Sequence, residues 1–134
     1  MPDCGLVADL ASLIFGKAGL KRFVREWNAS EFRGRLAGLG TVRFECPEAR
    51  AAPAVLCWDS AGNVTQGQQG PLAASFQATR VVWNEFFHGQ RSASTLILAG
   101  RLRFEGRLRD IAPYSLAFNC LAIVARRAAH CTGR

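Results

Sequence analysis

A chain of 134 residues with 49% hydrophobic and 20% charged side chains has the length of one domain and is too apolar to stay disordered. Folding at this size buries about two-thirds of the surface of the unfolded chain, so the core needs no disulfide or metal as a staple. The net charge of +7 favours acidic partners, such as nucleic acid, anionic headgroups or acyl phosphates, although all of the 17 basic residues except Lys17 and Lys21 are arginine, a bias that composition alone can give.

The stretch Met1 to Phe15 lacks a basic residue ahead of its apolar part and contains Asp9, unlike a signal peptide. The longest uncharged run, Ile111 to Ala125, is broken by Pro113 and Asn119 and falls short of the ~20 residues that span a bilayer. A cytoplasmic location is therefore expected. Five cysteines (Cys4, Cys46, Cys57, Cys120, Cys131) make an odd set with no CxxC pair, and Cys120, in an apolar segment, reads as a small buried hydrophobe. His130 and Cys131 are adjacent but have no partners at ligand spacing, so neither a metal nor a cofactor is expected.

From Leu6 to Trp27 the apolar residues recur at spacings of three and four, and Gly16 and Gly19 divide the run into one helix to about Phe15 and another from about Lys17. Lys17, Lys21, Arg22 and Arg25 decorate the second piece beside Phe23 and Trp27; such a face packs on its own core or docks on a membrane. A third helix is expected over Ala29 to Leu36, with Ser30 as its N-cap and Gly38 and Gly40 as its stop. Strand periods follow at Thr41 to Cys46 and Ala54 to Trp58, a turn at Asp59 to Gly62 leads into Asn63 to Thr65, and Gln66 to Pro71 is a loop. Ala74 to Thr79 reads as a fourth strand.

Val82 to Phe87 reads as a short helix stopped at Gly89. Ser92 or Ser94 caps a second one through Leu98, stopped at Gly100, although Thr95 to Leu98 suits a strand equally well. Arg101 to Arg109 alternates charged and apolar positions, which predicts one long strand with Arg101, Arg103, Arg107 and Arg109 on a wet or anion-binding face. Tyr114 to Arg127 reads as a buried helix with cations at its C-terminal end. The class is α/β (α+β), an about five-stranded sheet with helices over one face. One domain is expected over 1–134, with a helical segment at 1–38 and a core at 41–127.

No nucleophile relay, Walker or Rossmann motif is present. His88 reads as a helix C-terminal residue, and an enzyme of the α+β-cone type would require it to converge with Asp59 or Glu85. Nucleic acid is not expected as a partner, because the arginine-bearing strand face lacks interleaved aromatics, Phe104 pointing the other way. What stands out is apolar bulk between residues 83 and 104: Trp83, Phe86, Phe87, Ile97, Leu98 and Phe104. Such bulk is an ordinary core or the lining of a cavity between small helices and a sheet.

The run Trp83-Asn-Glu-Phe-Phe-His-Gly89, followed by Leu96-Ile-Leu-Ala-Gly-Arg-Leu-Arg-Phe-Glu-Gly106, resembles the sterol-carrier-like lipid-transfer domains, and Asp59 to Val64 fits their hairpin. The resemblance spans about residues 41–125. It implies an apolar tunnel for fatty acyl chains, acyl-CoA, sterols or isoprenoids, and no catalysis. It also allows an accessory factor that presents a hydrophobic intermediate, such as a quinone precursor, to membrane enzymes. On this basis the lipid contacts are Trp83, Phe86, Phe87, Ile97, Leu98, Leu102, Phe104 and Phe118, with Lys17, Lys21, Arg22 and Arg25 docking on anionic membranes. Arg107, Pro71 and the Pro113-bearing segment from Asp110 to Tyr114 depart from the family pattern, the last of these at the tunnel mouth.

Overall fold

The computed structural model describes residues 9–47 and 52–130, the side chain of Leu108 excepted. The expectations attached to Cys4, Leu6 and the rest of the first eight residues, and to Cys131, lie outside the described residues.

Helix α1 (Leu10–Ile14) starts at Asp9, whose carboxylate accepts from the Ser12 amide at 3.2 Å and the Ser12 hydroxyl at 2.8 Å. Burial raises the Asp9 pKa, but the bonds from Ser12 and Asn84 and the charge of Arg80 outweigh it and hold the carboxyl below its ordinary value. Helix α2 (Lys17–Asn28) buries Gly19, Phe23 and Trp27, one residue per turn. Its C-terminal end is pinned: the Trp27 indole donates to Gly62 O at 2.9 Å, and Asn28 exchanges two bonds with the Val64 backbone at 2.9 and 2.7 Å.

The third helix is shorter than the sequence predicts. Only Arg33–Leu36 is helical, as a 3₁₀ turn. Ser30 Oγ donates back to Trp27 O at 2.8 Å, so the side chain finishes α2 instead of starting a new helix.

Five strands, β1 (Gly40–Glu45), β2 (Ala54–Trp58), β3 (Val64–Gln66), β4 (Leu72–Gln77) and β5 (Arg103–Gly106), form one sheet in the order β3-β2-β1-β4-β5. The central pair β1 and β4 is parallel and the other pairs are antiparallel. Asp59 Oδ1 accepts from the amides of Ala61 and Asn63 at 2.9 and 3.0 Å and so closes the turn between β2 and β3. The register aligns Ala54, Phe44, Phe76 and Phe104 in one row across the covered face. Phe44 stacks on Phe76 at 5.8 Å and Phe76 meets Phe104 at 5.3 Å, as cross-strand pairing allows.

Helices α3 (Arg80–Phe87) and α4 (Ala93–Leu98) lie between β4 and β5. Thr79 caps α3 and Ser92, not Ser94, caps α4. Both helices end alike. The Gly89 amide bonds Phe86 O and the Gln90 amide Glu85 O; the Gly100 amide bonds Ile97 O and the Arg101 amide Leu96 O. This closure needs a left-handed residue, supplied by Gly89 and Gly100 at φ +76° and +74°.

That second closure also explains why β5 is shorter than its alternating sequence predicts. Arg101 and Leu102 are bonded to the end of α4, and Leu108 already opens α5 (Leu108–Ile111). Only Arg103 of the four arginines is therefore on a strand, and the expected four-arginine face does not form. After a 3₁₀ turn at Ala112–Tyr114, helix α6 (Asn119–His130) begins later than expected, and Leu116 is exposed in the turn before it. Cys120 is buried there, and burial pushes its thiol pKa up.

Val42, Leu56, Trp58, Ala74 and Phe76 point from the sheet into a core completed by the helices. The opposite face, with Arg43, Val55, Cys57, Ser75 and Gln77, is only half-buried. The fold is thus the expected five-stranded sheet with helices packed on one face, and its pairing is mixed.

Candidate functional site

Three apolar cavities follow one another through the layer between helices and sheet. The outer one is a cleft of about 250 Å³, walled by Phe76 and Phe104 from the sheet, Ala93, Ile97 and Leu98 from α4, and Ile111 and Phe118 from the segment leading to α6. Ser94 and Ser115 are the polar residues on its rim. Behind Phe76 and Phe118 is a second void of about 10 Å³, bordered also by Trp83, Phe86, Leu102 and Leu121. The third, of about 30 Å³, lies beyond Trp83 and Phe86, where Phe87 meets Phe15 of the α1–α2 link and Phe23 of α2.

All eight residues assigned from the sequence border these spaces, but the structure divides them. Ile97, Leu98, Phe104 and Phe118 line the outer cleft, Leu102 borders the middle void, and Phe87 borders the inner one. Trp83 and Phe86 form the partition between the last two. Phe118 lies in the turn before α6, one residue ahead of that helix. The Trp83 indole donates to Glu45 O at 2.8 Å, which fixes the ring, whereas Phe86 and Phe118 have only packing to hold them.

Sequence reasoning missed Phe44 and Phe76, which the alternation of β1 and β4 already puts on the covered face. It also missed Ala93 and Ala112, where a small side chain leaves the space that the large ones enclose. No periodicity reports that.

The carboxylates weighed as partners for His88 are committed elsewhere. Glu85 is gripped by Arg101 at 2.7 and 3.0 Å, with Arg91 at 3.5 Å, and the Arg101 bonds hold its pKa below the ordinary value. Asp59 is bound into its turn, and His88 caps the C-terminal end of α3. Among the described residues no three His, Cys, Asp or Glu side chains come together as a metal-ligand group. On α2, Lys17, Lys21 and Arg25 are exposed, and Arg22 is half-buried. No helix among the described residues is long and apolar enough to cross a membrane.

No protein-family model and no curated protein matches the chain. Solved structures do. A conserved hypothetical protein from Thermus thermophilus, described as possibly a sterol carrier protein, superposes with a TM-score of 0.67 at 21% identity, over 85% of this chain and 88% of its own. A crystal structure of sterol carrier protein 2 gives 0.67 at 19% identity, over 84% of this chain and 97% of that one. The UbiJ-SCP2 ubiquinone synthesis protein gives 0.51 at 20% identity, over 75% and 82%. With its five-stranded mixed sheet, its one-sided helical layer and its buried apolar spaces, this chain has the fold of sterol carrier protein 2.

Proposed function

We propose that this protein binds lipid without catalysis, taking an acyl, sterol or isoprenoid chain into the outer cleft and carrying it between membranes or enzymes. The observation that carries the reading is the cleft itself, about 250 Å³ between α4, the sheet and the turn before α6, with walls almost wholly of carbon. Such a space accepts a hydrocarbon chain and leaves a polar head in water at the rim, since an unpaired polar group inside would be costly. Ile97, Leu98, Phe104 and Phe118 would touch the ligand first. Trp83, Phe86, Phe87 and Leu102 would be reached once Phe118 or Phe86 turns aside.

In this reading the whole chain, 1–134, works as one unit. Ile14, Phe15 and Leu20 of the helical segment 1–38 border the innermost void, which supports that view. Lys17, Lys21, Arg22 and Arg25 would hold the protein near anionic bilayers. In this reading the protein works in the cytoplasm, where Cys57 and Cys120 would stay as thiols.

A second reading is that of an accessory factor presenting a hydrophobic intermediate, such as a quinone precursor, to membrane enzymes. The likeness to the UbiJ-SCP2 ubiquinone synthesis protein favours it.

Native mass spectrometry of protein purified without detergent, together with titration of a fluorescent fatty acid, tests the lipid reading. A bound lipid, or saturable uptake of the probe that is weakened in Phe104→Asp, is the expected result; the absence of both retained lipid and probe uptake would refute it. Competition by an isoprenoid quinone precursor in preference to fatty acids would favour the second reading.

A further inference from the structure

Leu98 and Leu116 are 88% and 84% exposed, the most exposed of the large apolar side chains among the described residues. Single exposed leucines are ordinary on protein surfaces and need no explanation. These two are not scattered. Leu98 is itself a wall of the outer cleft, and Leu116 sits between Ser115 and Phe118, which belong to the wall across from it. The apolar lining therefore continues outward over both lips of the mouth.

Charge beside the mouth is positive on balance. The stretch that leads from β5 to the wall at Ile111 carries exposed Arg107 and Arg109 against one exposed acid, Asp110, whereas Arg103 and Glu105 of β5 alternate with Phe104 and belong to the opposite face of the sheet. Exposed leucines with arginines close by in the chain suit a bilayer surface that bears anionic lipid: alkyl groups enter the acyl boundary while the guanidinium groups stay among the headgroups. The α2 cations lie elsewhere. Helix α2 packs by β3, at one end of the sheet, whereas the mouth opens by β5 at the other.

We propose that the mouth of the outer cleft docks directly on an anionic lipid bilayer, with Leu98 and Leu116 inserted, so that a lipid passes between membrane and cleft without crossing water. This docking geometry builds on the lipid-carrier reading but can fail separately from it.

The test uses the full chain and vesicles of phosphatidylcholine containing phosphatidylglycerol. Trp27 and Trp58 are buried and border none of the three cavities, but Trp83 borders two of them, so the quenching of the parent protein by brominated acyl chains is subtracted and the excess in each variant reports on the introduced tryptophan. Fluorescence of Leu116→Trp should be quenched by brominated vesicles, and that of Val81→Trp, at a residue 63% exposed on α3 that does not line the cleft, should not. Leu116→Ser should slow transfer of a fluorescent fatty acid between vesicles by about fivefold, the effect of a partly inserted leucine, while equilibrium uptake of that probe in solution is unchanged. Leu116→Met should restore the rate.

Absence of quenching in Leu116→Trp, or equal quenching in Val81→Trp, overturns the docking proposal whether or not the protein takes up lipid. So does a concentration-dependent dimer that Leu116→Ser dissolves in the absence of vesicle contact. Quenching without any uptake of fatty acid would leave the docking face standing and overturn the carrier reading instead.

Discussion

Phe118 stands edge-on against Phe76, with 5.2 Å between ring centroids and planes inclined at 70°, and the two rings together close the outer cleft off from the voids behind it. The partition is made of packing alone. It sets how much hydrocarbon the cleft accepts before something inside must move.

Removing half of that partition should change chain-length preference. Phe118→Ala joins the outer cleft to the middle void and should cost about 3–5 kcal/mol of stability, with Phe118→Leu costing less. In a homologous series of fatty acids the alanine variant should favour longer chains than the parent, measured by displacement of a fluorescent probe. An unchanged preference would mean that the inner voids take no part in binding.

The inner end of the series depends on a polar clasp. Asn84 Oδ1 accepts from the Ala11 amide at 2.8 Å, and its amide group donates to Asp9 at 3.1 Å, which ties α3 to the start of α1. Asn84→Ala strands the Ala11 amide and should destabilise the fold by about 1–3 kcal/mol in urea unfolding. The Asp9 carboxyl should then titrate closer to its ordinary value. A loss below a few tenths of a kcal/mol would show that α1 is held by its apolar contacts alone.

Acid should loosen the contact between α6 and the link after α2. Glu31 takes two bonds from Arg127, both 2.9 Å, and those bonds above all hold its pKa down to about 2. A carboxyl depressed on folding stabilises the native state above its unfolded value, near 4.5, and that contribution disappears as the pH falls through about 2. NMR titration should find Glu31 ionised well below pH 4.5 in the parent and close to its ordinary value in Arg127→Gln. A value that ignores the substitution would show the pair to be unformed in solution.

The α2 cations and the mouth leucines should separate kinetically. Reversing Lys17, Lys21 and Arg25 together should weaken association with anionic vesicles, at about 1 kcal/mol per charge near the surface, and the deficit should vanish at high salt. Equilibrium uptake of a fatty acid should stay the same. Association that is indifferent to the reversal would make these residues a solvated helix face and nothing more.

Much of the fold was legible in the sequence because local chemistry and tertiary structure agree there. The alternation in β1 and β2, the Asp59 turn, and the glycines closing α3 and α4 mark elements to within a residue or two. The errors have physical causes. Ser30 looks like a helix start, but its hydroxyl serves the preceding helix, and capping residues do not declare which helix they serve. The alternation of Arg101 to Arg109 runs longer than β5 because the α4 closure takes Arg101 and Leu102 and α5 begins at Leu108. The apolar residues near the site were visible as bulk, whereas the spaces between them depend on Ala93 and on the register that lines up Phe44, Phe76 and Phe104, both set by three-dimensional packing.

Strand β5 is four residues long, ends the sheet, and is laddered on one side only, to β4, while β1 and β4 are laddered on both. The outer cleft thus has an edge strand as one wall, and breathing of that strand can widen the cleft while the parallel centre keeps its ladder. Backbone amide exchange should register this as a gradient, fastest at Arg103 to Gly106 and slowest at Val42 to Phe44. A ligand seated against Phe104 should slow the fast end without touching the slow one.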